Sequence, residues 1–169
     1  MARKRFSDMN CGVAQALEAL GDWWTLLIIR DAFFGVRRFT DFQASLGIAR
    51  NILTDRLNRL VEHGILERID VGDTGLRYEY RLTPKGEGLL PLLTALREWS
   101  DAWVFGPGRE PVVAVEKATG RPLPGMRVRN AEGRELGRHD LRIVPGPGAS
   151  AETLEMLARR PRSKPPRRA

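Results

Sequence analysis

Residues 39–63 read FTDFQASLGIARNILTDRLNRLVEH, and this stretch decides the fold. From Phe39 to Leu46 the apolar positions recur at helical spacing, with Thr40 as the expected N-cap and Gly47 as the stop. From about Ala49 to His63, Leu53, Leu57, Leu60 and Val61 form one apolar stripe of a second helix, which Gly64 ends. Only Gly47 and Ile48 separate the two. That is the short turn of a helix-turn-helix, in which the second helix enters a DNA major groove.

The flanking residues extend this motif in both directions. Upstream, Val13 to Leu20 (VAQALEAL) places Val13, Ala16, Leu17 and Leu20 on one face of a short helix stopped by Gly21. Trp24 to Phe34 (WTLLIIRDAFF) is apolar nearly all round, which predicts a helix central to the core, closed by Gly35. After Gly64 the apolar period falls to about two residues. Ile65 to Val71 and Leu76 to Leu82 then read as a hairpin, joined by Gly72-Asp73-Thr74-Gly75, and this is the wing. Thr83 caps a further long helix with Pro84 at its first position and a slight bend at Pro91. Along it Leu89, Leu92, Leu93, Leu96, Trp99 and Trp103 keep three- and four-residue spacing toward Phe105. A helix that follows a compact winged domain has little of its own to bury against. Leu89, Leu93, Leu96, Trp99 and Trp103 are therefore expected to form a homodimer interface. The predicted class is α+β, mainly α: a winged helix-turn-helix with a long C-terminal dimerisation helix and a small β-rich appendage.

Composition narrows the function. The 169 residues carry 28 Lys+Arg against 21 Asp+Glu, a formal charge of +7 that favours polyanionic partners. Residues 1–105 hold 14 basic and 14 acidic side chains; the whole excess lies in residues 106–169. The longest apolar run, Trp23 to Ile29, is far short of the ~20 residues that span a bilayer, so no membrane partner is expected. Arg3, Lys4 and Arg5 precede a polar FSDMN rather than an apolar segment, which points away from a signal peptide and toward the cytoplasm. One cysteine, Cys11, excludes an internal disulfide, and with two distant histidines no metal cage is expected. No nucleophile–base pair, phosphate loop or dinucleotide fingerprint is present, so neither an enzyme nor a cofactor is predicted.

The order and spacing of Cys11, Leu20-Gly21, Trp24-Thr25-Leu26-Leu27-Ile28, Arg38-Phe39, Leu53-Thr54-Asp55-Arg56-Leu57, Gly64-Ile65-Leu66-Glu67-Arg68, Arg77-Tyr78-Glu79-Tyr80 and Leu82-Thr83-Pro84-Lys85-Gly86 resemble the HxlR-type winged-helix transcriptional regulators, which are related to the MarR type. The resemblance spans roughly Cys11 to Trp103. It implies a dimeric bacterial DNA-binding regulator without catalysis, and several such proteins sense electrophiles or oxidants through a cysteine near the N-terminus. The chain departs from the family pattern at Gly12, Trp23, Ala49 and Gly75-Leu76. Ala49 stands where a serine commonly begins the recognition helix, so a cap is lost there.

Candidate contacts follow from a helical wheel centred on the Leu53/Leu57/Leu60/Val61 stripe. Asn51, Asp55, Asn58, Arg59 and Glu62 turn outward, flanked by Arg50 and Arg56. Arg pairs with guanine O6/N7 and Asn with adenine N6/N7, which makes Arg50 and Asn51 the first choice for base readout. Arg56 and Arg59 reach phosphate or bases, or else pair along the helix; Asp55 pairs with Arg59 or accepts from cytosine. In the wing Arg77 reaches phosphate or the minor groove, or pairs with Glu67 or Asp70. Arg37 and Arg38 precede the helix-turn-helix and can grip the backbone of double-stranded DNA. Cys11 is a redox or electrophile sensor, or a small packing residue. Trp23 and Trp24 line a pocket for a small aromatic effector, or pack in the core.

The chain is read as a flexible arm over 1–10, the winged domain with its dimerisation helix over 11–105, a β-rich appendage over 106–158 and a disordered basic tail over 159–169. Within the appendage Val112 to Val115, Met126 to Asn130 and Leu141 to Val144 are the strand-like runs, and Ser150 caps a short helix through about Arg159. The leading expectation is a sequence-specific DNA-binding homodimer on a palindrome. The alternative is a winged-helix protein-interaction scaffold with incidental DNA affinity, which the net-zero charge of residues 1–105 keeps open.

Overall fold

Burial of a few aliphatic side chains sets the architecture. In a computed structural model, which describes residues 6–72 and 77–159, Ile28, Ile29, Phe42, Leu53, Leu57, Leu60 and Leu66 are fully buried. They come from helices α2 (Trp23–Phe33), α3 (Phe39–Leu46) and α4 (Arg50–Glu62) and from strand β1 (Leu66–Asp70). Helix α1 (Gly12–Leu20) adds Leu20 to this core, while Val13 and Leu17 stay exposed. Strand β2 (Tyr78–Leu82) pairs antiparallel with β1, Leu66 opposite Leu82 and Asp70 opposite Tyr78. The Tyr80 N–H donates to the Arg37 carbonyl at 2.8 Å, which ties the α2–α3 connection to the outer edge of the wing. These elements form the winged helix-turn-helix that the sequence predicts.

Each helix end has an identifiable cause. Asp22 caps α2 by accepting the Thr25 N–H at 3.2 Å. At α3 the N-cap position falls on Arg38, two residues before the expected Thr40, and no side chain caps it. Gly47 then adopts φ +60, the left-handed conformation that lets the chain leave α3 and enter α4 three residues later. Ala49 occupies the N-cap of α4 without a side-chain bond, as the missing serine implies.

The long fifth helix is corrected. The chain forms a short α5 (Pro84–Glu87), capped by Thr83 as expected, then turns at Gly88 and Leu89 before α6 (Leu90–Ser100) and a π turn over Asp101–Phe105. Pro91 sits in the first turn of α6, where its missing N–H costs nothing, so it starts a new helix instead of bending an old one. Gly86 fixes the direction of α5: a Cβ there would lie 2.2 Å from the Ile65 carbonyl oxygen. Leu89 and Leu93 pack against the winged core, whereas Leu92, Leu96, Trp99 and Trp103 remain exposed. The expected stripe therefore divides in two.

The described chain separates into two compact units. One is residues 16–125; the other joins the residues up to Gln15 with those from Met126 onward. The boundaries expected at 10/11 and 105/106 do not coincide with that division. In the second unit Gln15 donates to the carbonyls of Ser7 and Met9 at 2.8 and 2.9 Å, which ties this segment to α1. Ser150 caps α7 (Ala151–Arg159) through the Thr153 N–H, as predicted. The strand-like runs of 112–144 yield only two isolated bridges among the described residues, Val115 with Pro122 and Arg129 with Glu135. Pro111, Pro122, Pro124 and Pro145 lack the N–H that a longer ladder needs. The wing-tip residues Asp73, Thr74, Gly75 and Leu76, the basic Arg3, Lys4 and Arg5, and tail residues 160–169 lie outside the described residues. No described helix is long and apolar enough to cross a membrane.

Candidate nucleic-acid interface

The outward face of α4 is the centre of the site. Arg50, its first residue, is exposed, and its guanidinium lies over the Phe39 ring at 5.2 Å, held between the two helices of the motif. Its carbonyl accepts the Thr54 hydroxyl at 2.8 Å. Asn51 and Asp55 are exposed one and five residues further on, and Arg59 is half-buried with no ionic partner among the described residues. Arg56 differs. Its guanidinium pairs with both Asp22, the cap of α2, and Asp55 on its own helix. Ion pairing, the alternative reading for Arg56, is what the structure holds, with different partners from those the helical spacing suggests. Asp55 is engaged with Arg56 and not with Arg59.

The loop and wing add further cations. Arg37 and Arg38 are exposed, with Arg38 4.0 Å from the Glu79 carboxylate. Arg77 is exposed at the tip end of the wing, just before β2; its backbone N–H reaches Asp70 Oδ1 at 3.2 Å. Two residues were not singled out from sequence. Arg68, exposed on β1, stacks on the Tyr78 ring at 4.5 Å, a diagonal cross-strand contact that the alternation of the hairpin could have exposed. Lys85 donates to the His63 carbonyl at 2.7 Å and so neutralises the C-terminal end of α4, a contact no local pattern encodes.

The remaining candidates lie elsewhere. Leu96, Trp99 and Trp103 are 48, 59 and 77% exposed, an apolar ridge with Leu92. Trp24 packs against the core while Trp23 is exposed. Cys11 is exposed and directly precedes α1. No group of three or more metal-binding side chains occurs among the described residues.

A helix-turn-helix whose second helix carries an exposed Arg and Asn at its entering end, followed by a hairpin wing with exposed Arg68 and Arg77, defines a DNA-binding transcriptional regulator. Comparison with known proteins specifies the kind. The family model described as HxlR-like helix-turn-helix matches residues 19–106, and the chain belongs to that family. It is 37% identical over 140 residues to the HTH-type transcriptional regulator Rv3095 of Mycobacterium tuberculosis, covering 83% of this chain and 89% of that one. The crystal structure of the transcription factor PA1607 is similar with a TM-score of 0.78 at 43% identity, over 85% of this chain and 100% of that one. The redox regulator HypR in its reduced form is similar with a TM-score of 0.50 at 27% identity, over 53% of this chain and 90% of that one.

Proposed function

We propose that the protein acts as a cytoplasmic, non-catalytic homodimer that binds a palindromic operator in double-stranded DNA, with one α4 in each of two successive major grooves. The two helices would then sit about 34–36 Å apart, one turn of DNA. The observation that carries this reading is the exposed Arg50–Asn51 pair at the entering end of α4, where guanine and adenine edges are read bidentately. Arg59, Arg77, Arg37 and Arg38 supply phosphate contacts around it. The exposed Leu92, Leu96, Trp99 and Trp103 ridge supports the second copy, since a contiguous apolar strip on a helix at four- and three-residue spacing is the seam of a paired helix. Leu89 and Leu93 belong to the protomer core and support α6 from below. Cys11, exposed at the start of α1, is the proposed point of response to an oxidant or electrophile, a role supported by the similarity to a redox regulator.

Titration of operator and random DNA across a salt series tests the reading. Arg50→Ala is expected to weaken operator binding by about 1–3 kcal/mol while leaving random-DNA binding nearly intact; Arg77→Ala weakens both and lowers the salt slope by about 1. Equal losses on both DNAs for Arg50→Ala refute base readout. Absence of any retardation of operator DNA at moderate salt favours the interaction-scaffold alternative. Diamide treatment that leaves operator affinity unchanged removes the role of Cys11.

A further inference from the structure

The unit formed by the two chain ends contains a cleft of about 570 Å³, within the roughly 300–1,000 Å³ range of small-molecule sites. One wall is the segment from Met9 to Gly12 with Gln15 of α1; the other is the loop over residues 143–149 with Thr153, Met156 and Leu157 of α7. Both walls lie outside residues 19–106, the part that the family model matches.

Its chemistry is one-sided. Met9, Ile143, Val144, Met156 and Leu157 supply the apolar surface, and among the described residues no charged side chain lines it. The polar side chains at its edge are turned into the protein. Asn10 donates to the Gly148 carbonyl at 3.1 Å and accepts from the Ser150 N–H and the Thr153 hydroxyl at 2.9 and 2.8 Å. The Gln15 amide is spent on the carbonyls of Ser7 and Met9. An ionic ligand would find nothing to replace its water, and the cost of desolvating it would go uncompensated.

We propose that this cleft is a binding site for an uncharged, predominantly apolar small molecule. The site is independent of the DNA reading, because ligand binding is measured without DNA and can fail while operator binding stands. The probe is the neutral dye Nile red, titrated by fluorescence into the full chain, beside the anionic dye anilinonaphthalene sulfonate. Saturable binding of one Nile red per chain is expected, with the anionic dye at least about tenfold weaker.

Val144→Asp and Ile143→Asp, at exposed wall positions 58 and 70% accessible, place a carboxylate in the cleft without disturbing a core and should each weaken Nile red about tenfold or more. Val128→Asp, equally exposed in the same unit but away from the cleft, should leave affinity within about twofold. The proposal is overturned by non-saturable binding, by equal losses in Val128→Asp and Val144→Asp, or by tighter binding of the anionic dye. A stoichiometry of one dye per two chains that vanishes on dilution also overturns it, since the seat would then lie between copies.

Discussion

The winged unit and the unit of the chain ends are held together by different forces. In residues 16–125 the structure rests on fully buried Ile28, Ile29, Phe42, Leu53, Leu57, Leu60 and Leu66, each contributing through apolar area removed from water and close contact. In the end unit Ala14 is the one buried apolar residue among the described ones, and directional bonds carry the structure instead: Asn10 to Gly148, Ser150 and Thr153, and Gln15 to Ser7 and Met9. The difference suits what each region is asked to do. A rigid core is needed to hold α4 at a fixed angle to DNA, whereas a surface held by hydrogen bonds in water, each of small net worth, opens and closes at low cost. It also leaves apolar side chains such as Ile143 and Val144 uncovered, which is what gives the cleft its walls.

The largest effect should come from cutting the core. Leu57→Ala removes a fully buried side chain beneath the recognition helix and is expected to cost about 2–5 kcal/mol, read as a lowered urea midpoint. Ile143→Ala in the end unit removes a similar number of carbons from an exposed position and should stay within about 0.5 kcal/mol. Similar midpoint shifts for the two variants would erase the contrast, because they would mean that the end unit has a core after all.

A smaller and more local effect is expected from Asn10→Ala. Its amide satisfies the N-terminal end of α7 together with Ser150, so its loss frees donors that only water can then take up. Amide exchange in α7 should quicken about tenfold, in keeping with about 1–2 kcal/mol of lost local bonding, while the urea midpoint of the winged unit holds. A midpoint that falls with the exchange protection would join both regions into one cooperative structure.

The same physical contrast decides what was legible in the sequence. Burial on one face imposes a period, so Phe42, Leu53, Leu57 and Leu60 announced two helices, and the left-handed turn at Gly47 announced their spacing. Thr83 and Ser150 were readable as caps because a cap is a local event, three residues long. The break at Gly88 was not, since it depends on Gly86 meeting the Ile65 carbonyl, a contact between elements rather than a property of the stretch itself. The strand-like runs of 112–144 were readable as alternation, but a ladder also requires a partner with free N–H groups, and the prolines deny it. At the candidate site Asn51 was found by the wheel because helical phase places it on the exposed face, and Arg50 because it is the first residue of α4, where the end of the helix is open to solvent. Arg56 has the same residue type as Arg50 and flanks the outward face, and its partner Asp22 lies a whole motif away in the chain, so nothing local marked it as an ion-pairing residue.

That pair gives the smallest expected effect and the sharpest distinction within the winged unit. If Arg56 serves the protein by fastening α4 to the cap of α2, Arg56→Gln should lower stability by only about 0.5–1 kcal/mol, since the pair is partly exposed and screened. Operator affinity should fall modestly with the salt slope unchanged. A lost phosphate contact would instead reduce that slope by about 1. Asp22→Asn isolates the ionic component, because the amide oxygen still accepts the Thr25 N–H and keeps α2 capped while the charge disappears. The doubly substituted chain should then be no less stable than Arg56→Gln alone, as expected where the effect of Asp22 runs through its contact with Arg56. A slope that drops in Arg56→Gln, or additive losses in the double variant, would return Arg56 to the set of direct DNA contacts.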